Sequence, residues 1–194
     1  VLLDEPFSSL DASLRVSLRR DVTRVLAEAK TPAVIVTHDQ DEALSLASRI
    51  AILDHGRVLA EGSPAQLYDA PTNPDTARYL GQANLLPATI TAGTARCVLG
   101  TLALLAETSP PDGPATILLR PQQLCLSTDQ GGEGVPAIIS ALDYHGHDSL
   151  AELILVDATT LTARVTGNQD LRPGDHVRIT TAGQAIAWPV TDRG

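Results

Sequence analysis

Methionine is missing from all 194 residues, and lysine occurs once, at Lys30. Phenylalanine and tryptophan also occur once each, and aromatics make up only 3% of the chain. A folded core must therefore be built from aliphatic side chains, and recognition of nucleic acid by stacked aromatic rings has almost nothing to work with. The two cysteines, Cys97 and Cys125, are too few for a disulfide scaffold. They are expected as reduced core thiols of a cytosolic protein. No apolar run approaches the ~20 residues of a membrane-spanning helix, and no signal-peptide pattern opens the chain, so a soluble protein is expected. With valine first and no methionine anywhere, the chain reads as a piece of a longer polypeptide.

Hydrophobic residues make up 43% of the chain, enough to bury a core. The formal net charge is −9, and both parts are acidic: residues 1–80 carry 8 basic and 12 acidic groups, residues 81–194 carry 6 and 11. That balance argues against an electrostatic footprint on nucleic acid.

The first part has the texture of an α/β fold. Val1-Leu2-Leu3 is an apolar run ending at Asp4-Glu5-Pro6, as in a buried parallel strand that delivers acids at its C-terminal end. Asp11 stands where a helix N-cap belongs, and Leu14, Leu18, Val22, Val25 and Leu26 follow at helical spacing. Arg15, Arg19, Arg20 and Arg24 lie between them and are expected to form a solvated basic face. Thr31-Pro32 ends that helix, and residues 33–37 form a second buried strand running into His38. A short helix starts near Gln40. Asp54-His55-Gly56 reads as the turn of a hairpin, and Ser63-Pro64 and Asn73-Pro74 each open a further short helix.

Beyond residue 80 the texture changes. Short strands are expected at residues 115–119, 135–142, 150–156, 160–165, 176–180 and 185–188, separated by turn signals such as Pro110-Pro111-Asp112-Gly113 and Arg172-Pro173-Gly174-Asp175. This spacing fits a small barrel or sandwich. The boundary is placed at residues 80–86, making 1–80 and 81–194 the two domains.

A strand-terminal pair such as Asp4-Glu5 suits two tasks beside a bound nucleotide: one acid can hold Mg²⁺ through water, and the other can orient or deprotonate an attacking water. Taken in order, Asp4-Glu5-Pro6, Ser8-Ser9-Leu10-Asp11, a helix, and a strand ending in Thr37-His38-Asp39 resemble the ATPases of the ABC-transporter family. The resemblance identifies the first strand as Walker B, Ser9-Leu10-Asp11 as the D-loop and His38 as the switch histidine. It implies Glu5 as catalytic base, His38 as the contact to the γ-phosphate and attacking water, and Asp4 as the Mg²⁺ ligand. Ser9 and Asp11 are implied to reach across a dimer toward the second ATP. Later residues resemble the family's importer branch. Residues 83–88, Leu119-Arg120-Pro121-Gln122, and Tyr144-His145-Gly146-His147-Asp148 are similar to the accessory TOBE domain, an OB-like β-barrel. The family's usual Arg-Pro-Glu stands here as Arg120-Pro121-Gln122.

The resemblance implies the C-terminal part of a P-loop NTPase ABC domain followed by a small all-β OB-like barrel. It further implies ATP and Mg²⁺ as cofactors, a homodimer, transmembrane permease subunits and, indirectly, a binding protein. The implied location is peripheral, on the cytoplasmic face of the inner membrane. The wording is nearest to ferric-iron importers, with polyamine, sulfate/molybdate, thiamine and phosphonate importers or a non-transport ABC ATPase as alternatives. His145, His147 and Asp148 could form a metal clip but read better as a tight turn around Gly146.

The 194 residues contain no G-x-x-x-x-G-K-[ST] phosphate loop and no glycine before Gly56. Without that backbone cradle the triphosphate has little to hold it. Residues 1–194 by themselves are expected to show no ATP turnover above background. Robust Mg²⁺-dependent hydrolysis by the purified chain would overturn this.

Overall fold

A computed structural model describes the chain except for residues 107–109, 168–169 and 191–194, and the side chains of residues 12 and 13. The described chain divides into two compact units, Val1–Thr72 with Tyr79–Gly81, and Asn73–Arg78 with Gln82–Gly194.

In the first unit β1 (Leu2–Asp4) leads through a turn into α1 (Ala12–Glu28), and β2 (Val34–Val36) then pairs with β1 in parallel, Leu2 opposite Val34 and Asp4 opposite Val36. Asp11 caps α1, its carboxylate accepting the Leu14 N–H at 2.9 Å. Residues Ala29, Lys30 and Thr31 close the helix in a Schellman pattern: the Lys30 and Thr31 amides donate to Ala27 and Leu26, with Lys30 at φ 49° where glycine is commoner. α2 (Gln40–Leu46) follows with Asp39 as its N-cap. The hairpin β3 (Ile50–Asp54) and β4 (Arg57–Gly62) turns at His55-Gly56, both at positive φ, and α3 (Pro64–Asp69) starts with a capping box between Ser63 and Gln66. Ile50, Ile52, Ala60, Leu67 and Leu80 make its small core.

Two expectations fail in this unit. The strands β1 and β2 are not buried: Leu2, Val34 and Val36 share one face and are 72%, 62% and 45% exposed. A two-stranded sheet has two faces, and here only the Leu3–Ile35 side is partly covered. On α1, Leu18, Val22 and Leu26, a single row four residues apart, are half-buried, whereas Leu14 and Val25 are exposed.

The second unit begins with α4 (Pro74–Tyr79, all but its last residue), whose first turn is capped by the Asn73 side chain accepting the Thr76 N–H at 2.8 Å. The strands that follow are β5 (Asn84–Thr91), β6 (Thr94–Cys97), β7 (Gly100–Ala103), β8 (Gly113–Leu119), β9 (Leu124–Ser127), β10 (Val135–Tyr144), β11 (Asp148–Leu155), β12 (Thr160–Thr166), β13 (His176–Thr181) and β14 (Ile186–Pro189). They form two five-stranded sheets, ordered β12-β11-β10-β13-β9 and β14-β8-β5-β6-β7. All neighbouring strands pair antiparallel.

Side chains from both sheets meet in one core, among them Ile90, Ile117, Leu119, Ile139, Leu153, Leu161 and Val177, each at most 1% exposed. That core is wholly aliphatic, as the scarcity of aromatics requires. Four strands escape the sequence reading: β6, β7 and β9 have only four residues each, and β5 carries Pro87. Pro87 is tolerated because β5 pairs with β6 only from Thr89 onward, so no ladder donor is lost on that side. Cys97 is half-buried, but Cys125 is exposed on β9, contrary to the expected pair of core thiols, and neither is in a disulfide.

Two buried polar side chains organise this unit. β12 is a sheet edge, where outward N–H and C=O groups need partners. Asn84, from the other sheet, supplies them: its carboxamide donates to Thr162 O at 2.8 Å and accepts the Thr162 N–H at 2.7 Å. Arg120, 5% exposed, donates to the carbonyls of Ala77 at 2.9 Å and Gln82 at 3.1 Å, tying α4 to this unit where Ala77 packs with Leu118, Ile186 and Trp188.

Asn84→Ala is expected to leave both Thr162 backbone groups unpaired, at about 1–3 kcal/mol for each such group. A thermal melt of the chain should show the transition lowered by several degrees or more. A melting point within a degree of the parent would show that water or a neighbouring strand replaces Asn84.

Candidate functional site

The parallel pairing of β1 with β2 places the chain segments that leave the two strands side by side. The Glu5 N–H donates to Val36 O at 2.9 Å, extending the ladder one residue beyond Asp4. Glu5 itself adopts φ 46°, a left-handed conformation that costs a non-glycine residue roughly 1–2 kcal/mol. The chain turns sharply there, with Ser8 N–H and Oγ both donating to Glu5 O and the Leu10 N–H to Phe7 O, while Phe7 anchors the turn at 1% exposure.

The result is a contact between Glu5 and His38: Nδ1 lies 2.7 Å from Oε1. An ionised carboxylate only accepts, so Nδ1 carries the proton. The Glu5 hydrogen bond, then its charge, raise the His38 pKa above the ordinary imidazole value against a small desolvation effect, with Asp39 and Glu42 adding to the rise. The His38 side chain is 81% exposed, so the pair sits on open surface. Asp4 is exposed at the end of β1, one residue before Glu5. Ser9 is exposed in the turn, and the Asp11 carboxylate is engaged in capping α1. The structure therefore joins Glu5 to His38 directly and gives Asp4, Ser9 and Asp11 positions along the same β1–turn–α1 segment.

The expected basic face of α1 is divided. Arg20 and Arg24 are exposed, but Arg19 and Arg15 turn toward the N-terminus of α2. Arg19 Nη2 donates to Asp39 and to Glu42, each at 2.8 Å, and Arg15 Nη1 lies 3.4 Å from Asp39. The correction has a simple cause: Arg15 and Arg19 are one turn apart and face two carboxylates that α2 gathers in its first turn. Burial works against the charged form of Asp39, but the Glu42 amide and Arg19 outweigh it and hold its pKa below the usual carboxylate value. Burial likewise opposes the Arg19 charge, and Glu42 and Asp39 more than compensate. The sequence reading left Arg19 and Glu42 without a role. The only hint was helix spacing, with Arg15 and Arg19 four residues apart and Asp39 and Glu42 three apart.

Among the described residues no group of three or more His, Cys, Asp or Glu is placed to hold a metal ion. An exposed single carboxylate such as Asp4 still fits Mg²⁺, which keeps most of its waters and takes one or two protein carboxylates beside substrate phosphates. At His145–Asp148 the chain makes a tight turn, with Gly146 at φ 87° and the His145 N–H donating to Asp148 O at 2.9 Å. No described helix is long and apolar enough to cross a membrane.

A family model described as the TOBE domain matches residues 117–187. The chain is 40% identical over 194 residues to "Fe(3+) ions import ATP-binding protein FbpC 1" of Rhodococcus jostii (strain RHA1), covering 97% of this chain and 55% of that protein. It is 41% identical over 191 residues to the FbpC protein of Pseudomonas fluorescens (strain Pf-5), covering 95% and 53%, and 38% identical over 186 residues to that of Serratia marcescens, again 95% and 53%. The chain thus spans about half the length of the curated relatives it matches. A solved structure of the cytoplasmic molybdate-binding protein ModG aligns with 55% of this chain and 96% of its own at a TM-score of 0.44 and 16% identity, a likeness on which nothing below rests.

Because Glu5 raises the His38 pKa, the stabilisation from the pair is complete below the ordinary imidazole pKa and is lost as pH rises through the raised value. An NMR titration of the His38 ring should give a pKa above ~6.5, and Glu5→Gln should lower it. An unchanged His38 titration in the variant would mean the contact is not formed in solution.

Proposed function

We propose that the chain belongs to the ATP-binding proteins of ABC transporters and serves as the energy-coupling ATPase of a bacterial importer whose cargo is Fe(3+). In this reading residues 1–80 are the C-terminal portion of the nucleotide-binding domain and residues 81–194 the TOBE accessory domain. The observation that carries it is the 2.7 Å contact between Glu5 and His38 at the C-terminal ends of two adjacent parallel strands, where α/β sheets present their ligand-binding groups. The Fe(3+) cargo is supported by the relatives, which are Fe(3+) import ATP-binding proteins.

The reaction is hydrolysis of ATP by water to ADP and phosphate. Glu5 is the general base: its carboxylate orients the attacking water and takes its proton as the oxygen–phosphorus bond forms. His38 donates through Nδ1 to Glu5, which leaves Nε2 as the nitrogen to meet the γ-phosphate. The raised His38 pKa favours the protonated ring, which in that form places positive charge where negative charge is shared in the transition state. Asp4 would hold Mg²⁺ through water, and the ion when bound would neutralise phosphate charge. Ser9 and Asp11, on the turn into α1, face a second copy of the subunit in a homodimer that encloses two ATP molecules. Closure and reopening of that dimer drive transmembrane permease subunits, supplied in turn by a binding protein. The subunit is then peripheral at the cytoplasmic face of the inner membrane, and the acidic balance leaves no role for nucleic acid.

The two adjacent acids are expected to fail differently in the assembled ATPase. Glu5→Gln should cut single-turnover hydrolysis by about 10²–10⁴, the usual worth of a positioned base, while ATP binding survives. Asp4→Asn should raise the Mg²⁺ requirement and recover in part with added metal. A Mg²⁺ titration of both variants decides between the roles. Wild-type turnover in Glu5→Gln, or its rescue by metal, would reverse or remove the assignment.

A further inference from the structure

His38 stands between two residues whose polar groups belong to one cluster. On one side, Thr37 Oγ1 donates to Glu42 Oε2 at 2.7 Å and accepts the Asp39 N–H at 3.0 Å. On the other, Asp39 accepts the Glu42 N–H at 3.0 Å, Arg19 at 2.8 Å and Arg15 at 3.4 Å. Glu42 is 3% exposed, and Arg19 at 2.8 Å together with Thr37 satisfies both oxygens of its buried carboxylate. Arg15 uses its second terminal nitrogen on Leu10 O at 3.0 Å, within the Ser9-Leu10-Asp11 turn. Two arginines of α1 thus hold, through one set of acids, both the backbone around His38 and the turn that follows Glu5.

A partly buried ion cluster, here with Glu42 inside and Asp39 and Arg15 partly exposed, is a poor means of gaining stability, since desolvation and solvent screening offset much of its Coulombic attraction. What such a cluster supplies is direction: planar guanidinium and carboxylate groups bond in few geometries. The Glu5–His38 contact depends on the placement of a solvent-exposed ring that has little packing to orient it. We propose that Arg19 and Glu42, with Thr37 as the link, are positioning residues that hold the His38 backbone where the ring meets Glu5. Arg15 extends the same restraint to the Ser9–Asp11 turn. This rests on the assignment of Glu5 and His38 as the hydrolytic pair, where a displacement near 1 Å costs on the order of 100-fold.

Two measurements test it. In the 194-residue chain, imidazole ¹⁵N–¹H spectra report the His38–Glu5 contact without any nucleotide. Thr37→Val, Glu42→Gln and Arg19→Met should each move the His38 signals toward those of Glu5→Gln, while Arg19→Lys should recover part of the shift. In the assembled ATPase the same variants should lower kcat roughly tenfold or more with KM for ATP within about twofold, a split expected of misplaced groups rather than lost binding. Lowered melting points with unchanged His38 signals would make the cluster merely structural and overturn the proposal. Should Glu42→Gln unfold, Thr37→Val and Arg19→Lys, which disturb the fewest bonds, carry the decision. Wild-type turnover in Glu5→Gln alongside shifted His38 signals in the cluster variants would instead refute the hydrolytic reading and leave the positioning intact.

Discussion

The in-register parallel pairing of Leu2–Asp4 with Val34–Val36 is the constraint on which the candidate site depends. Strand residues advance ~3.3 Å each, so a slip of one residue between β1 and β2 would carry His38 beyond hydrogen-bonding reach of Glu5. It would also reverse which side chains share a face. The pairing is only three residues long on each side, and Leu2, Val34 and Val36 are largely exposed. So short and open a sheet is weakly held by its own burial. Its register is reinforced by the Glu5 N–H bond to Val36, by Phe7 anchoring the turn, and by the cluster that Arg15 and Arg19 build with Asp39 and Glu42.

The second unit solves its structural problem by other means. The side chains that meet between its two five-stranded sheets are aliphatic, so that core is filled without the directional contacts that rings would bring, and the one buried ring, Trp188, lies in a separate small cluster with Ala77, Leu118 and Ile186. Specificity comes instead from polar groups placed where the backbone would otherwise be orphaned. Asn84 imitates a peptide group for the edge strand β12, and Arg120 gathers two carbonyls, one of them at the end of α4. Each removes a small number of alternatives: a free sheet edge in one case, a detached helix in the other.

Local signals carried much of the fold. Asp11, Ser63 and Asn73 mark helix starts because their side-chain oxygens accept from the first-turn amides, a requirement met within three residues. His55-Gly56 marks a hairpin because both residues must adopt positive φ. Glu5 and His38 stood out as candidate site residues through the resemblance of Asp4-Glu5-Pro6, Ser9-Leu10-Asp11 and Thr37-His38-Asp39 to a known family; each follows a strand, and a parallel sheet collects such ends on one edge. Strands β5, β6, β7 and β9 were not legible. Three are four residues long and lack the continuous apolar run, residues 185–188, by which the equally short β14 was read, and the fourth contains a proline whose harmlessness depends on which neighbour it lacks.

What the sequence determined by itself, then, is what short-range chemistry decides, namely caps, turns and the mostly aliphatic nature of the core, while the order of motifs nominated Asp4, Glu5, Ser9, Asp11 and His38 as candidates through a family resemblance. Tertiary structure alone decided which charged groups are solvated and which are internal. Arg15 and Arg19 have the same local signature as Arg20 and Arg24, yet only the first two meet acids from α2, more than 15 residues away in the chain. Burial of Glu42, exposure of Cys125 and Val36, and the partnership of Asn84 with Thr162 have the same origin. Each depends on a neighbour brought close by the fold, and no pattern within one helix or strand can encode it.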